Sequence, residues 1–555
     1  MLAVNDRNGH IAAELSVWAG YCLLSMAYFH RVVSNLTTHI AGHGGDGWQN
    51  LWNMWWFEQA LSRGTNPYFT DMLHHPHGHT LLFHTFNPFN AVLALPLKWL
   101  FGQPAAYNIV AILSFVTTAG FTYMLLRRIG AGRAGSFLAG CALSFGPFHF
   151  AHAQGHMQLV AMEGLPLSVY FGIGLAEKRR IRDGVAAGLA LGLTAFCSFY
   201  YLAAAMVVIG LGAAAMAVRL RKELLEPALL KASAAAMAAF ACTGGILVAS
   251  MLASYGSAGL APAHDPAYWS ADVQSFFVPS WILAAGRWFT GISGRWTGNT
   301  AECNQYLGYS LLVLAFLGFI LRRDSRPWGW LGLMVLGIVL ELGPYLHVGG
   351  RVYRSIPLPF GWIERLFPPL ALSGAPVRWH VLCVLGLSVC AGLGLDALWR
   401  RVSDKKGSHH AAAAAVAACA LVLLELLPRP VDATEIPRWK MLGSLASEPA
   451  GEAVYDTGDP NLALLRQTQH RHPLVGGYLA RVRQSALDFE RHDPLLRALR
   501  GEQVLTAEQV KRMAASLGLR HVLARDSRAN SLRMSRLGLS LRAKEKGVQW
   551  WVIGW

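Results

Sequence analysis

Long apolar segments recur from residue 11 to residue 428, and they constrain the fold more than any other feature. Two examples are AYNIVAILSFVTTAGFTYMLL (106–126) and LLKASAAAMAAFACTGGILVASML (229–252). Each has about 20 residues, the length at which an α-helix crosses a hydrocarbon layer of roughly 30 Å. Only 14% of the residues are charged, against about a quarter in a soluble domain. The sequence therefore predicts a polytopic α-helical membrane protein.

The basic residues cluster in short loops between these segments. Examples are Arg127, Arg128 and Arg133; Lys178, Arg179, Arg180 and Arg182; and Arg400, Arg401, Lys405 and Lys406. Such clusters mark the cytoplasmic side of a membrane protein. The net charge of +16 is thus explained by topology, and a nucleic-acid partner is not expected. With a cytoplasmic N-terminus, the clusters alternate with eleven predicted spans: 12–34, 104–126, 134–150, 158–176, 184–199, 201–218, 229–252, 306–321, 327–346, 376–399 and 411–428.

Two segments need separate treatment. The stretch 87–102, NPFNAVLALPLKWLFG, is short and contains two prolines, so we expect it to re-enter the membrane or to lie at its surface. The first apolar run is followed by no small-residue cleavage site, which predicts a retained helix.

Seven of the eight cysteines lie inside apolar runs, where cysteine behaves as a small hydrophobe.

The span count divides the chain into two predicted domains. Residues 1–428 form the transmembrane domain, with outer loops 35–103 and 253–305. Residues 429–555 are richer in charge and read as a soluble α/β domain outside the membrane. Its signals are short strands at 452–458 and 520–526, a helix at 506–518, and a closing strand, GVQWWVIGW. Thr506 and Gln509 have capping-box spacing at the start of that helix, and Gly518 ends it.

The first outer loop contains an acidic residue among glycines, in HGGDGWQNLWNMWWFEQAL (43–61). Asp46 has capping-box spacing to Gln49, so one interpretation is a helix N-cap. Trp48, Trp52 and Trp55 would then lie along a helix at headgroup depth, where tryptophan is favoured. The other interpretation is a general base, since backbone N–H groups would hold the carboxylate in place and ionised.

The order of motifs resembles the GT-C superfamily of membrane glycosyltransferases. The resemblance is carried by GGDGWQNLWNMWW (44–56), LSRGTNPYFTDMLHHPHGHTLL (61–82) and NPFNAVLALPLKWLFGQPAAYN (87–108), and further on by SADVQSFFVPS (270–280) and AECNQYLGY (301–309). It covers about residues 40–400. It implies an inverting transferase in the bacterial cytoplasmic membrane, with its C-terminus outside. Such an enzyme moves a sugar from a polyprenyl-phosphate donor to a glycan, lipid or protein acceptor.

The resemblance also implies roles for individual residues. Asp46 would take the proton of the acceptor hydroxyl. Arg378, in SGAPVRWH, would bind the leaving phosphate; its alternative role is an anchor at the lipid surface. Asp272 and Glu302 would orient sugar or acceptor hydroxyls, or else are solvated loop acids. The further candidates for substrate binding are polar side chains of the outer loops: Gln49, Asn53, His75, His77, His84, His152 and His156.

A resident metal is not favoured from the sequence. HHPHGH (74–79) could bind metal, hydrogen-bond sugar or phosphate, or serve loop structure. The paired Asp-x-Asp found in some GT-C branches is absent, since Asp46 stands alone in the first loop. No cofactor is therefore assigned. Two other classes stay open: a lipid or glycan transporter, although internal repeats are not seen, and a non-catalytic assembly protein of envelope polysaccharide synthesis.

Overall fold

Each apolar segment forms helix in the computed structural model, which describes residues 2–219, 223–256, 258–260, 264–322, 324, 326–367 and 374–554. The predicted helical membrane architecture is confirmed. Seven helical segments of this part of the chain are long and apolar enough to cross a membrane: Ile11–Tyr28, Gln103–Ile129, Met157–Lys178, Phe199–Val218, Pro227–Tyr255, Pro376–Lys406 and Ser408–Glu425. The number of crossings, eleven, stays a prediction. The predicted loop 253–305 includes residues 257 and 261–263, which lie outside the described residues.

The helical chain divides into two compact units, and the first contains most of the spans. It comprises Met1–Leu36, Asn108–Ile246 and Ala263–Ala433. Its longer helices are Leu2–Tyr28, Gln103–Ile129, Arg133–Ser144, Gly164–Lys178, Ile181–Cys197, Phe199–Arg219, Pro227–Phe240, Tyr309–Leu321, Arg326–Glu341, His380–Lys406 and Ser408–Glu425. Large apolar side chains such as Leu23, Met206 and Val313 are exposed on these helices, as a lipid-facing surface requires.

One helix, His380–Lys406, forms the centre of this unit. All of its residues from His380 to Ala397 are buried. It packs against the helices Arg133–Ser144, Tyr309–Leu321, Arg326–Glu341 and Ser408–Glu425. Small residues permit the close approach: a Cβ on Gly394 would lie 1.8 Å from the carbonyl oxygen of Leu314. Such small-residue contacts are typical of helices that associate within a membrane.

Several helix boundaries differ from the predicted spans. The predicted span 134–150 is interrupted, because a helix ends at Ser144 and a short one, Pro147–His152, follows Gly146. Proline has no N–H to continue a helix and is favoured at the start of one. The predicted span 327–346 ends at Glu341, and a hairpin of strands Tyr345–Val348 and Arg351–Pro357 follows.

The second unit comprises Thr37–Tyr107, Leu247–Pro262 and Thr434–Trp555. Its core sheet has four strands, in the spatial order Ala453–Asp456, Leu519–Arg525, Val548–Val552 and Ser540–Glu545. The first pair is parallel and the other two are antiparallel. Its helices include Asp46–Ser62, Pro88–Phe101, Ile246–Tyr255 from Leu247 onward, Lys440–Leu445, Pro460–His470, Gln484–His492, Pro494–Arg500, Ala507–Ser516 and Arg528–Arg536.

The local signals in the C-terminal region are confirmed. The helix Ala507–Ser516 begins with a complete capping box between Thr506 and Gln509. Gly518 follows with a φ of +61°, a conformation that glycine adopts without strain. The predicted strands form at Ala453–Asp456, Leu519–Arg525 and Val548–Val552.

The division into domains differs from the predicted one, because the first outer loop folds together with the C-terminal region. The side chain of Gln467 carries this contact: its oxygen accepts from the Trp52 indole N–H at 2.7 Å, and its nitrogen donates to the Met72 carbonyl at 2.6 Å. Leu474 N–H also donates to the Met72 carbonyl, at 2.8 Å. An α/β fold is therefore present after 434, but it shares its core with residues 37–107.

The tryptophan helix is buried in this shared core, and the prediction of a headgroup anchor is wrong. Trp52 and Trp56 are fully buried, with stacked rings 6.1 Å apart. Trp48 and Trp55 are buried as well. The indole N–H of Trp56 donates to the Pro67 carbonyl at 2.9 Å. A buried indole needs such a partner, and here protein groups supply it.

Candidate functional site

Asp46 is the first residue of the helix Asp46–Ser62 and is partly exposed. The N-cap is Gly45, with a φ of +44°, so the residue at the capping position has no side chain to accept from the helix N–H groups. The backbone turns through hydrogen bonds from Gly47 N–H to the Gly44 carbonyl and from Trp48 N–H to the Gly45 carbonyl. The interpretation of Asp46 as N-cap is therefore wrong. Its carboxylate instead belongs to the first turn, where the helix dipole favours negative charge.

Gln49, Asn53 and His84, predicted to bind substrate, lie close together, and His84 bonds to Asn53. All three are buried. His84 Nδ1 accepts from the N–H of Ala480 at 3.0 Å, so its Nε2 carries the proton and donates to Asn53 Oδ1 at 3.1 Å. The Gln49 side chain donates to the Thr85 hydroxyl. These bonds fix the loop around His84 against the helix and the C-terminal segment, which is a structural role.

The histidine-rich stretch 74–79 also serves loop structure. The backbone N–H groups of His74 and His75 donate to the carbonyls of Gly476 and Leu474, at 2.8 and 2.9 Å. His79 Nε2 accepts from the N–H of Arg483 at 2.9 Å. The ring of His77 is exposed and lies edge-on to Phe489, with the ring centroids 5.9 Å apart. Of the three predicted roles for this stretch, these contacts favour loop structure.

The buried histidines of this unit predict that it loses stability in acid. Burial lowers the pKa of His84 to about 3, and that of His74 and of His521 to about 4. Because these folded-state values lie below the ordinary value of 6.5, the stabilisation is complete above pH 6.5 and declines as the pH falls toward 4. The protection of peptides from 39–107 and 434–555 against hydrogen exchange, relative to the intrinsic rate at each pH, should fall over that range. His84→Gln should weaken the pH dependence, whereas His77→Gln, at an exposed position, should leave it unchanged.

Arg378 and Glu302 form a buried ion pair in the other unit. Both Nε and Nη2 of Arg378 donate to Glu302 Oε1, at 3.0 and 2.6 Å, and Nη1 donates to the Tyr200 hydroxyl at 2.6 Å. The guanidinium also lies over the Tyr200 ring, 4.7 Å from its centroid. Burial raises the pKa of Glu302, but the charge of Arg378 outweighs it and lowers the pKa to about 2. The predicted lipid anchor and solvated loop acid are therefore both wrong.

Arg378 and Glu302 both keep hydrogen-bonding groups that the ion pair does not use. A guanidinium has five N–H donors, and three of those of Arg378 are used. The other two have no partner among the described residues. Glu302 Oε2 likewise has no hydrogen-bond partner there. Buried polar atoms are normally satisfied in folded proteins, so this cluster has the character of a ligand site.

His152 and His156 lie beside Glu302. Their Nδ1 atoms are 3.0 Å apart, and His152 Nε2 has no hydrogen-bond partner in the described part of the chain. Burial lowers the pKa of His152 well below its ordinary value, which keeps the ring neutral. Ligand atoms of His152, His156 and Glu302 lie within 4.8 Å of one another. Neutral imidazoles and a carboxylate suit a divalent cation, so these residues could hold one, although the sequence does not favour a metal.

Asp272 is buried and structural. Its Oδ1 caps the short helix Val273–Phe276 by accepting from Gln274 N–H at 2.9 Å. Its Oδ2 accepts from the N–H of Gly350 at 2.8 Å. Both carboxylate oxygens are thus used in joining the loop at 272 to the hairpin turn at 350. The alternative of a solvated acid is therefore wrong, and a role for Asp272 in substrate binding stays a prediction.

Sequence reasoning missed Tyr200 and the group Glu341, His380 and Cys383. Tyr200 lies in an apolar aromatic run, where no local signal distinguishes it. Glu341 and His380 are ionisable residues within predicted spans, a feature that marks functional positions in membrane proteins and would have identified them. Asp46 belongs to the unit that contains the C-terminal region, whereas Arg378, Glu302 and Tyr200 belong to the unit that contains most of the spans.

Several solved structures are similar to this chain. The arabinofuranosyltransferase AftD from mycobacteria matches with a TM-score of 0.61 and 14% identity over 98% of this chain, which spans 40% of the AftD chain. The oligosaccharyltransferase of Archaeoglobus fulgidus matches with a TM-score of 0.49 and 11% identity, over 92% of this chain and 69% of that one. ArnT from Cupriavidus metallidurans matches with a TM-score of 0.43 and 14% identity, over 98% of each chain.

These identities are low, so the likeness to AftD establishes the fold alone: it is the GT-C fold predicted from the sequence motifs. No curated protein sequence matches the chain. One family model does, described as a domain of unknown function, DUF6311, and it matches residues 17–424. Because that match extends over well more than half of the chain, the protein belongs to the DUF6311 family.

Proposed function

We propose that the protein is an inverting glycosyltransferase that moves a sugar from a polyprenyl-phosphate donor to an acceptor hydroxyl at the outer face of the bacterial cytoplasmic membrane. Asp46 takes the acceptor proton while the acceptor oxygen attacks the anomeric carbon. The bond between that carbon and the phosphate oxygen breaks, and polyprenyl phosphate leaves with the bonding electron pair. The sugar's configuration inverts in this single displacement, and the proton passes from Asp46 to solvent.

The observation that carries the proposal is the position of Asp46 at a helix start that a glycine caps. An acid used only for capping would stand at the N-cap, and here Gly45 occupies that position. The carboxylate is partly exposed, as a group that meets substrate must be. Negative charge is favoured in the first turn of a helix, and an ionised carboxylate is the form that accepts a proton. The fold supports the same reaction class, since AftD is by name an arabinofuranosyltransferase.

Arg378 is our candidate for the leaving phosphate. Glu302 and Tyr200 hold its guanidinium in a fixed orientation, and two N–H donors remain for another ligand. Arginine is well matched to phosphate because its planar fork can donate two parallel hydrogen bonds. Glu302 also offsets the charge of Arg378 before the donor binds, so the buried site does not hold an isolated cation.

The test is a transfer assay on the purified full-length protein. A panel of polyprenyl-phosphate sugars, hexosyl and pentosyl, is incubated with envelope glycan, lipid and protein fractions. Release of polyprenyl phosphate together with a labelled acceptor is the expected result for one donor. The other outcome is transport. If the protein, reconstituted in vesicles, carries labelled lipid or glycan across the bilayer without breaking the sugar–phosphate bond, it is a transporter.

The proposed location of the reaction predicts a topology. We expect the basic loops to be cytoplasmic and the region after 429 to be outside, because lysine and arginine accumulate on the cytoplasmic side. Reporter fusions after residues 182 and 430 should therefore give opposite signals. The same signal from both fusions would contradict the eleven-span count and the outer location of the C-terminal region.

A further inference from the structure

Glu341, His380 and Cys383 converge where two helices of the first unit pack. Glu341 is the last residue of the helix Arg326–Glu341, and His380 begins the central helix. Cys383 lies three residues after His380, on the same helix face. The helices approach closely because residue 337 is glycine: a Cβ there would lie 2.4 Å from the backbone nitrogen of Cys383. Ligand atoms of the three side chains lie within 4.8 Å of one another.

The three side chains are buried, and their polar atoms are poorly satisfied. Glu341, His380 and Cys383 each have no exposed surface. Glu341 Oε2 and His380 Nδ1 are 2.8 Å apart, yet they lack the angles of a hydrogen bond. Glu341 Oε1 and His380 Nε2 have no partner among the described residues either. A carboxylate and an imidazole enclosed in this way cost several kcal/mol unless another group satisfies them.

We propose that Glu341, His380 and Cys383 form a zinc site that joins the two helices. A carboxylate oxygen, an imidazole nitrogen and a thiolate sulfur are three of the ligands that zinc takes in proteins, and water would occupy the fourth position. Ligands at about 2.0–2.3 Å from a tetrahedral Zn²⁺ are roughly 3.3–3.8 Å apart. The separations of the three ligand atoms, from 2.8 Å to at most 4.8 Å, bracket that range.

Charge balance suits this site to a low-dielectric interior. The Cys383 thiol loses its proton to solvent when the metal binds, as metal-bound thiols do. The thiolate and the Glu341 carboxylate then offset the two positive charges of Zn²⁺, and a neutral His380 adds none. The loaded site is electrically neutral, so it carries little of the desolvation cost of an isolated buried ion. The site does not depend on the proposed sugar transfer.

Cobalt substitution separates this site from the other candidate clusters. The set His152, His156 and Glu302 and the set Glu448, Glu452 and His521 contain no sulfur. Co²⁺ added to the chelator-treated full-length protein should therefore give sulfur-to-cobalt charge-transfer absorption only through Cys383. We expect Cys383→Ser to abolish that absorption. The matched control is Cys390→Ser, since Cys390 is buried on the same helix; it should keep the absorption.

A second measurement tests the site without any substitution. Zinc X-ray absorption of the unaltered protein should report about one metal per chain with one sulfur and otherwise nitrogen or oxygen ligands. It keeps the proposal testable even when Cys383→Ser does not fold. An all-nitrogen-and-oxygen shell, no retained zinc after zinc loading and gel filtration, or charge-transfer absorption that survives Cys383→Ser would each overturn the proposal.

Discussion

Asp46→Asn is expected to lower sugar transfer by about 10²–10⁴-fold, the usual contribution of a general base. Asparagine has nearly the shape of aspartate, but its amide cannot take the acceptor proton at neutral pH. Gly45, and not Asp46, caps the helix, so helix stability should change little. The measurement is kcat/KM for transfer by the purified variant, together with its thermal unfolding temperature. We expect kcat to fall and the unfolding temperature to stay near that of the unaltered protein.

A control for this substitution lies in the same loop. Asp71 is an exposed acid, 3.6 Å from Arg63, and exposed pairs of this kind contribute little to stability. Asp71→Asn should therefore transfer sugar at the normal rate. Near-normal transfer by Asp46→Asn would end the catalytic assignment. If Asp46→Asn also supported envelope polysaccharide synthesis in cells, the alternative of a non-catalytic assembly protein would be favoured.

The fold was largely predictable because it depends mainly on apolar runs, which are visible in the linear sequence. Apolar runs of span length require helices in a membrane, and the runs at 104–126 and 376–399 did form them. The capping box at Thr506 and Gln509 was predictable for the same reason, since it depends on residues three apart. The break at Gly146–Pro147 was visible in the sequence, but the apolar residues on both sides concealed it.

The shared core of the second unit was not predictable from local patterns. Trp52 and Gln467 lie more than 400 positions apart, and their hydrogen bond depends on how two distant segments pack. Without that knowledge, a tryptophan-rich helix next to a predicted span is assigned to the membrane surface. The hydrogen bond between His84 and Asn53 was hidden for a similar reason, since a sequence shows a polar residue type but not its bonding partner. Their part in substrate binding stays a prediction.

The candidate site was predictable in residue type and only partly in arrangement. The motif resemblance selected Arg378 and Glu302 separately, and the structure pairs them. Tyr200 completes the arrangement. It lies in an apolar run, where nothing in the residue pattern indicates that its hydroxyl has a role. Asp272 was selected on the same grounds as Glu302, yet both of its oxygens bond to backbone N–H groups. Acid type and loop position alone do not distinguish a carboxylate that orients an arginine from one that holds two loops together.

Arg378→Lys should separate the two roles of Arg378, which are to balance the charge of Glu302 and to bind the leaving phosphate. Arg378→Lys keeps a positive charge beside Glu302, so the protein should remain folded. Lysine lacks the planar fork and cannot bond Glu302, Tyr200 and a phosphate together. We expect transfer to fall by about 10²–10³-fold, the typical loss when one charge-stabilising donor is removed. Normal transfer by a folded Arg378→Lys variant would reduce Arg378 to the counter-ion of Glu302.

A double variant distinguishes the ion pair's contribution to stability from its contribution to the reaction. Arg378→Met alone leaves the buried Glu302 carboxylate unpaired, which typically costs about 3–5 kcal/mol. Arg378→Met combined with Glu302→Gln removes both charges and should recover most of that stability, as measured by thermal unfolding. Transfer should stay low in the double variant, because no cation remains to stabilise the leaving phosphate. Recovery of transfer along with stability would contradict a role for Arg378 in the reaction.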